Sequence, residues 1–363
     1  MCFMDAPPAM AGTAGTFADR MMAMLNNAGL SLMVSVGHRT GLFDTMAEMP
    51  PATAAETAER AGLQERYVRE WLGAMVTGRI VMYDAASQRF HLPPDHAAML
   101  TRRATPNNMA AVTQFIAVLA GVEDQIVDCF HEGGGVPYAA FPRFQETMVE
   151  ESNQTVVSAL MEHIMPMMPE MMERMEQGCD VLDVGCGRGR ALLALARQFP
   201  RSRFTGYDID GPAIANANAT AAEMGLKNVR FAVCDVARMN DENRYDLVLA
   251  FDAIHDQAHP DRVLAAVRRA LRPDGRFMMQ DIAGSGDLAQ DMAHPMAPFL
   301  YTISCMHCMT VSLAEGGRGL GAMWGRKLAL QMLDEAGFAE VDVRELPHDI
   351  QNHYYVARLS AAA

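Results

Sequence analysis

VLDVGCGRGRALLALA, which runs from Val181 to Ala196, carries more information about this chain than any other stretch. An apolar run ends at an acidic residue, three glycines follow at alternate positions, and an apolar helical pattern then begins. The order predicts a strand, a glycine turn and a helix, so that a ligand can lie against bare backbone at the start of the helix. The three glycines are Gly185, Gly187 and Gly189.

Six further strand patterns follow this first one, and helical patterns separate the first five of the seven. We therefore expect an α/β domain over residues 178–363, with a parallel sheet and helices on both faces. The last two strands have no helix between them, which predicts an antiparallel pair. The seven candidate strands are VLDVG, RFTGYDI, VRFAVCD, YDLVLAFD, GRFMMQDI, AEVDVREL and HYYVARL.

Composition limits the class of protein. The 363 residues are 50% hydrophobic and 20% charged, which is ordinary for a globular chain of about two domains. Every apolar run of eighteen residues has a polar or charged break, so we expect no membrane span. Seven cysteines without a disulfide-like framework indicate reduced thiols and a cytoplasmic protein. The net charge of −14 argues against a nucleic-acid surface.

The first half of the chain predicts a smaller, mostly α domain. Residues 1–15 are interpreted as a flexible leader, and residues 16–103 as a winged-helix domain whose wing is a hairpin around Asp84–Ser87. Between Gly41 and Arg103 there are eight acidic residues and seven arginines, so phosphate attraction would be weak. A structural or dimerising role is therefore favoured, and no nucleic acid is expected as a partner.

Residues 104–177 predict a helical connector that could also form a pocket wall. Seven methionines fall between Met161 and Met175. Methionine fills irregular space in a core, and it also forms adaptable binding surfaces. The sequence leaves both interpretations open.

Acidic residues also end the next two strands, in YDID (Asp208) and VCDV (Asp235). Asp208 comes 25 residues after Asp183, which is about the offset at which a carboxylate meets ribose hydroxyls. Arg190 stands where a dinucleotide fingerprint has its third glycine or alanine, so the spacing is G-x-G-x-G.

With these motifs in this order, residues from Asp183 onward resemble the class I S-adenosylmethionine-dependent methyltransferases, which have a Rossmann-like seven-stranded domain. The resemblance implies S-adenosylmethionine as cofactor and S-adenosylhomocysteine as product. It also implies that the glycine turn and Asp183 meet the methionyl part, that Asp208 binds the ribose and that Asp235 binds the adenine amino group. The remaining expected cofactor contacts are Ile209, Val236 and Phe251.

The whole chain is similar to bacterial methyltransferases with an N-terminal winged helix, including a mycobacterial-type subgroup. It also shares the plan of dimeric plant-type O-methyltransferases. That plan implies a homodimer formed through the N-terminal domain.

FDAIHD, after the fourth strand, resembles the region of small-molecule O-methyltransferases where a histidine deprotonates the acceptor. The resemblance carries the role of base to His255, with Asp256 as its neighbour. The tryptophan that often follows the pair is Gln257 here, and methyltransferases that need no base can also have histidine at this point. A helix-capping or hydrogen-bonding role for His255 is the alternative.

An insertion at about residues 286–325 is expected to form a lid over the acceptor. Tyr301, His307 and Trp324 are its candidate pocket-lining residues, and His163 in the connector is a further one. Cys305 and Cys308 form a lone C-x-x-C without a second pair, so we expect no metal site.

We therefore expect methyl transfer to a small-molecule acceptor, at a hydroxyl or phenol oxygen, with His255 as general base. The first alternative is an S-methyltransferase that acts on a small thiol or sulfide. The second is a cofactor-binding transcriptional regulator that uses the winged helix.

Overall fold

The computed structural model describes residues 15–106 and 108–359, so the predicted leader lies almost wholly outside the described residues. The chain forms two compact units. The first comprises residues up to Gly121 together with Glu146–Gln154. The second comprises Val122–Gln145 and the residues from Thr155 onward. Residues 104–177, predicted as one connector, are thus divided between the two units.

The strands are β1 Met82–Asp84, β2 Arg89–His91, β3 Asp180–Val184, β4 Arg203–Asp208, β5 Val229–Val233, β6 Tyr245–Phe251, β7 Leu271–Ile282, β8 Phe338–Leu346 and β9 Asp349–Leu359. The α-helices are α1 Phe17–Thr40, α2 Leu42–Ala47, α3 Ala54–Ala61, α4 Glu65–Thr77, α5 Pro94–Leu100, α6 Met109–Val112, α7 Gln114–Ala120, α8 Glu123–Glu132, α9 Phe144–Ser152, α10 Pro169–Gln177, α11 Arg190–Gln198, α12 Gly211–Glu223, α13 Pro260–Ala270, α14 Leu288–Asp291, α15 Ala297–Ile303, α16 Met309–Ala314 and α17 Gly325–Glu335. Three wider π-helical segments interrupt them at Asn153–Val157, Leu160–Ile164 and Ser304–Cys308.

The first unit contains the predicted winged helix. Thr53 and Glu56 form a capping box at the start of α3, and Gly62 ends that helix with a φ of 68°. The strands β1 and β2 pair antiparallel as the wing. Helix α4 buries four apolar side chains spaced three and four residues apart, whereas Tyr67 is 80% exposed. Successive residues of an α-helix are rotated by about 100°, so Tyr67, directly before Val68, points away from the buried face.

The second unit is built on a seven-stranded sheet in the order β5-β4-β3-β6-β7-β9-β8. The first five strands of this list are parallel, and β9 is antiparallel to both β7 and β8. The predicted α/β class and the predicted antiparallel pair are confirmed. The chain direction across the sheet reverses between β3 and β6, and ligands bind at the carboxyl ends of strands at such a point.

Apolar side chains cover both faces of this sheet. Val181 and Leu247 belong to one core cluster, and their chain neighbours Leu182 and Val248 belong to the other. Successive side chains in a strand point to opposite faces, so the two clusters lie on the two sides of the sheet. Of the seven methionines between positions 161 and 175, five are buried in the first cluster. The core interpretation of the methionine-rich stretch is therefore the one that the packing supports.

One helical run in the described part of the chain, Ala297–Ala314, is long and apolar enough to cross a membrane, with a mean hydropathy of 1.2. Core helices of globular proteins have the same length and composition. Leu300 and Cys308 of this run are buried in a small core cluster with Ala322 and Met323. The run is thus weak evidence for a membrane span.

Candidate active site

The glycine turn joins β3 to α11 and adopts backbone angles that favour glycine. Gly185, Gly187 and Gly189 have φ values of 71°, 51° and 68°. A Cβ atom on Gly189 would lie 2.2 Å from the ring of Phe231, and one on Gly185 would lie 2.5 Å from Cβ of Ala253. The turn therefore depends on glycine both for its conformation and for its close packing against Phe231 and Ala253.

Two carboxylates lie directly beside the turn. Asp208, at the end of β4, accepts hydrogen bonds from the backbone N–H of Gly187 (2.7 Å) and of Asp210 (2.8 Å). Asp183 is 2% exposed, and among the described residues its Oδ1 has no hydrogen-bond partner. Burial raises the pKa of both carboxyl groups, and the charge of Asp208 raises that of Asp183 further.

The other predicted cofactor residues lie at the same edge of the sheet. Ile209 follows β4 and is 74% exposed, whereas Val236 is buried after β5 and Phe251 is half-buried at the end of β6. Asp235 accepts a hydrogen bond from the N–H of Ala237 at 3.0 Å. Its other oxygen lies 3.2 Å from Arg238, which draws it into a local ion pair.

These residues fit S-adenosylmethionine. The unpartnered Oδ1 of Asp183 can accept from the methionyl ammonium, and Asp208 retains lone pairs for the two ribose hydroxyls. The exposed Ile209 offers an apolar surface for the adenine ring. The glycine turn provides backbone that no side chain covers.

A buried histidine lies past the carboxyl end of β6, the strand next to β3. His255 is 2% exposed, and its Nδ1 lies 2.8 Å from Oδ1 of Asp281 near the end of β7. The same oxygen accepts hydrogen bonds from the indole N–H of Trp324 and from the backbone N–H of Ile282, both at 2.9 Å. The sequence predicted Asp256 as the neighbour of His255, whereas the hydrogen bond of the imidazole goes to Asp281.

Charge governs the protonation of this group. Burial disfavours imidazolium, but the negative charge of Asp281, together with Cys308, outweighs burial and raises the pKa of His255 well above its ordinary value. Two further carboxyl groups are partly exposed nearby. Burial raises the pKa of Asp252 to about 6 and that of Asp256 to about 7. Asp252 also has a φ of 52°, which is uncommon for a residue other than glycine and is often found at functional sites.

Asp252, His255 and Asp281 are also close enough to be considered as metal ligands, because one ligand atom from each lies within 4.8 Å of the others. However, Oδ1 of Asp281 already lies within hydrogen-bond distance of three nitrogen atoms. They are Nδ1 of His255, the backbone nitrogen of Ile282 and the indole nitrogen of Trp324. Oδ2 of Asp281 and Oδ1 of Asp252 are buried without a hydrogen-bond partner among the described residues. The hydrogen bond from Oδ1 of Asp281 to the ring is that of a carboxylate that orients an imidazole.

The π-helical segment Ser304–Cys308 brings two more side chains to His255. Cys308 is buried, and its side chain hydrogen-bonds to His255. His307 is 1% exposed and stacks on Phe144, with ring centroids 3.5 Å apart and ring planes 9° apart. A π-helical turn inside an α-helix is frequently associated with a functional site.

The other predicted acceptor residues are placed differently. The hydroxyl of Tyr301 donates to Asp291 at 2.8 Å, and the exposed ring of His163 stacks on His348. Trp324 contacts the pair of His255 and Asp281 through its indole N–H. Of the four predicted residues, Trp324 thus binds the carboxylate that holds His255, and His307 precedes the cysteine that contacts His255. Tyr301 and His163 make other contacts.

Sequence reasoning missed three contributors to the site. Asp281 ends a strand as Asp183 and Asp208 do, and this shared position was the available signal. Tyr138 and Gln145 lie next to the site from a segment without any motif. The amide of Gln145 donates to the hydroxyl of Tyr138 at 2.7 Å, and its Oε1 lies 3.8 Å from where a Cβ of Gly187 would be.

Comparison with known proteins gives matches for both units. Residues 28–102 match the family model described as Rv2258c-like winged HTH domain, and residues 175–337 match a methyltransferase domain. Among curated proteins, ribosomal RNA small subunit methyltransferase C of Klebsiella pneumoniae is 36% identical over 94 residues. That alignment covers 25% of this chain and 27% of the relative, so the chain spans about a quarter of the relative's length.

Two solved structures are similar over almost the whole chain. A protein of Nostoc punctiforme that is assigned as an O-methyltransferase has a TM-score of 0.71 at 17% identity, covering 95% of this chain and 99% of its own. Human N-acetylserotonin methyltransferase, solved with S-adenosylmethionine, has a TM-score of 0.66 at 16% identity, covering 96% and 100%. At these identities the likeness establishes the fold.

The matched domain models, the sheet order and the fit of the glycine turn to S-adenosylmethionine agree with one another. The chain therefore contains an S-adenosylmethionine-dependent methyltransferase domain, preceded by an N-terminal winged helix-turn-helix domain.

Proposed function

We propose that this enzyme methylates a small-molecule acceptor at a hydroxyl or phenol oxygen, with His255 as the general base. The observation that carries the proposal is the buried pair of His255 and Asp281 at the carboxyl end of β6, next to the strand that leads into the glycine turn. The name of the human structural neighbour indicates that it acts on N-acetylserotonin, which is a small molecule.

The hydrogen bonds around Asp281 determine how His255 can act. With Nδ1–H donated to Asp281, the other ring nitrogen, Nε2, is the one that accepts a proton from the acceptor. Trp324 and Ile282 hold the carboxylate in place, so the imidazole keeps one orientation. Asp281 also stabilises the imidazolium that forms.

S-adenosylmethionine supplies the methyl group on a cationic sulfonium, and the demethylated sulfur is the leaving group. The contribution of the chain is to hold the two reactants in line and to exclude water. The partly exposed carboxylates Asp252 and Asp256 favour positive charge at the carboxyl end of β6. The insertion at 286–325 is proposed as the lid, and the part of the segment 104–177 that belongs to the second unit is proposed as the pocket wall.

Methylation of a small thiol or sulfide is the second candidate. The side chain of Cys308 hydrogen-bonds to His255, so the space beside the imidazole already accommodates sulfur. A thiol with a pKa near 8.5 also needs less help from a base than a phenol does.

A panel of phenols, hydroxy acids, alkyl thiols and inorganic sulfide, each incubated with enzyme and S-adenosylmethionine, tests the proposal. We expect acceptor-dependent release of S-adenosylhomocysteine, with phenols ahead of thiols. Thiols ahead of phenols would establish the second candidate. If neither phenols nor thiols cause release of S-adenosylhomocysteine, both candidate functions are rejected.

The first unit is proposed to dimerise and not to bind nucleic acid. On α4, Arg66 pairs with Glu70, and Arg69 pairs with Glu65, so these arginines are neutralised within the helix. The start of α1 instead exposes several large apolar side chains, among them Phe17 at 69% and Leu25 at 70%. Light scattering of Leu25→Asp against wild type tests the proposed dimer, and a shift from dimer to monomer is expected.

The six described cysteines are free thiols, which supports a cytoplasmic location.

A further inference from the structure

His307 is a buried polar side chain without a hydrogen-bond partner. Neither Nδ1 nor Nε2 has one among the described residues, although the side chain is 1% exposed. Burial, with the charge of His255, lowers the pKa of His307 to about 3, so the ring is uncharged at neutral pH. Buried polar groups in folded proteins are nearly always satisfied, and an exception needs an explanation.

The position of His307 points to the acceptor. The residue after it, Cys308, hydrogen-bonds to the proposed base, and the charge of His255 acts on the His307 ring. Both side chains are presented by the π-helical segment Ser304–Cys308. The unsatisfied imidazole therefore belongs to the residue next to the one that contacts the proposed base.

Aromatic rings enclose His307 in this conformation. Phe144 covers one face of the imidazole, and Phe141 and Tyr138 meet it edge-on, with ring centroids 4.8 and 5.4 Å away. These rings belong to a segment that follows Gly133 and Gly134, both at positive φ, where a Cβ atom would meet nothing within 4 Å. These aromatic rings must move away from His307 before a ligand can reach the imidazole nitrogens.

We propose that His307 binds a second polar group of the acceptor, next to the atom that is methylated. The acceptor class is then an uncharged molecule with two neighbouring hydrogen-bonding groups, such as a vicinal diol, a catechol or a hydroxythiol. An anionic acceptor is disfavoured because the imidazole offers no positive charge and because Asp252 and Asp256 lie nearby. The assignment rests on the proposed methyl transfer and specifies its substrate.

Paired probes test the assignment in the full-length enzyme. We measure kcat/KM for catechol against phenol, for mercaptoethanol against ethanethiol, and for catechol against its carboxylated analogue protocatechuate. Wild type is expected to favour the first member of each pair by about tenfold or more, mainly through KM. His307→Phe, which keeps an aromatic ring but has no nitrogen, is expected to abolish the preference in the first two pairs. His307→Gln, which restores hydrogen bonding, is expected to recover part of it.

Thermal unfolding separates this role from a structural one. Replacing an unsatisfied imidazole by phenyl should raise the Tm of the free protein by a few degrees. A lower Tm together with an unchanged preference would overturn the assignment, as would a wild-type enzyme that does not distinguish the paired probes. If wild type methylates no probe, the proposed function fails. Calorimetric titration of catechol and phenol into cofactor-loaded protein then decides the inference, and equal affinities reject it.

Discussion

The proposed donor side and the proposed acceptor side of the active site are assembled in opposite ways. On the donor side, each polar group lies at the end of a strand or in the turn that follows it, as with Asp183 and Asp208. On the acceptor side, His255, Asp281 and Cys308 come from three separate segments, and they meet only through the folded sheet and the inserted helices. A local arrangement can be recognised in one sequence, whereas an assembled one cannot.

Replacement of the proposed base should give the largest difference between the effect on turnover and the effect on cofactor binding. His255→Ala removes the proton acceptor and should lower kcat by about a hundredfold, within the range for general-base catalysis. The dissociation constant of S-adenosylmethionine should change little, because no donor-side contact is lost. His259→Ala, the same change four residues further on, is the control. Unimpaired turnover by His255→Ala would end the assignment of the base.

The reverse experiment targets the donor side. Asp208→Ala removes charged hydrogen-bond acceptors from the proposed ribose contact and from the N–H of Gly187. We expect the dissociation constant of S-adenosylmethionine to rise by about tenfold or more, as measured by calorimetry. Asp261→Ala, on the exposed start of α13, is the matched control. Equal affinities for Asp208→Ala and wild type would count against the ribose role.

The pH dependence follows from the raised pKa of His255. The base must be neutral to accept a proton, so kcat/KM should rise with pH through an apparent pKa above 6.5. Asp281→Asn removes the charge that favours imidazolium and should move this apparent pKa to a lower pH. A profile that does not respond to Asp281→Asn would disprove the electrostatic role of the pair.

The free energy of unfolding should also depend on the protonation of His255, but its contribution should decrease as the pH rises. The ion pair of His255 and Asp281 stabilises the folded state fully below the pKa of an unfolded histidine, near 6.5. That contribution is lost as the pH rises through the higher pKa of the folded state. Urea unfolding of wild type and Asp281→Asn across this interval measures the difference, which should shrink with rising pH.

The smallest expected effect concerns Trp324. Trp324→Phe keeps an aromatic ring but removes the N–H donated to Asp281, a loss of about 1 kcal/mol for a single hydrogen bond. We expect kcat to fall several-fold while the affinity for S-adenosylmethionine stays unchanged. Trp71→Phe, which removes an N–H donated to the carbonyl of Met33 in the first unit, should alter stability without affecting kcat. Equal kinetic effects of the two variants would remove Trp324 from the acceptor side.

The same contrast explains how far the sequence could be interpreted. All seven strands of the sheet were predicted, because each is an apolar or alternating pattern bounded by turn residues or a helix. His255 was found by its place after β6. Asp281 was not assigned a role, since nothing within β7 shows which side chain will face an imidazole 26 residues earlier in the chain. His307 was a candidate, but its missing hydrogen bonds depend on packing by Phe144, which only the fold brings near.

The outer strand β8 has a consequence for association between copies of the chain. It lies at one edge of the sheet, where unpaired backbone groups could extend the sheet into a neighbouring molecule. Charged residues alternate along it at Glu340, Asp342 and Arg344. Glu340 pairs with Arg358, and Asp342 pairs with Arg344. Such charges resist the addition of another strand. This edge of the sheet is therefore protected against aggregation through strand pairing.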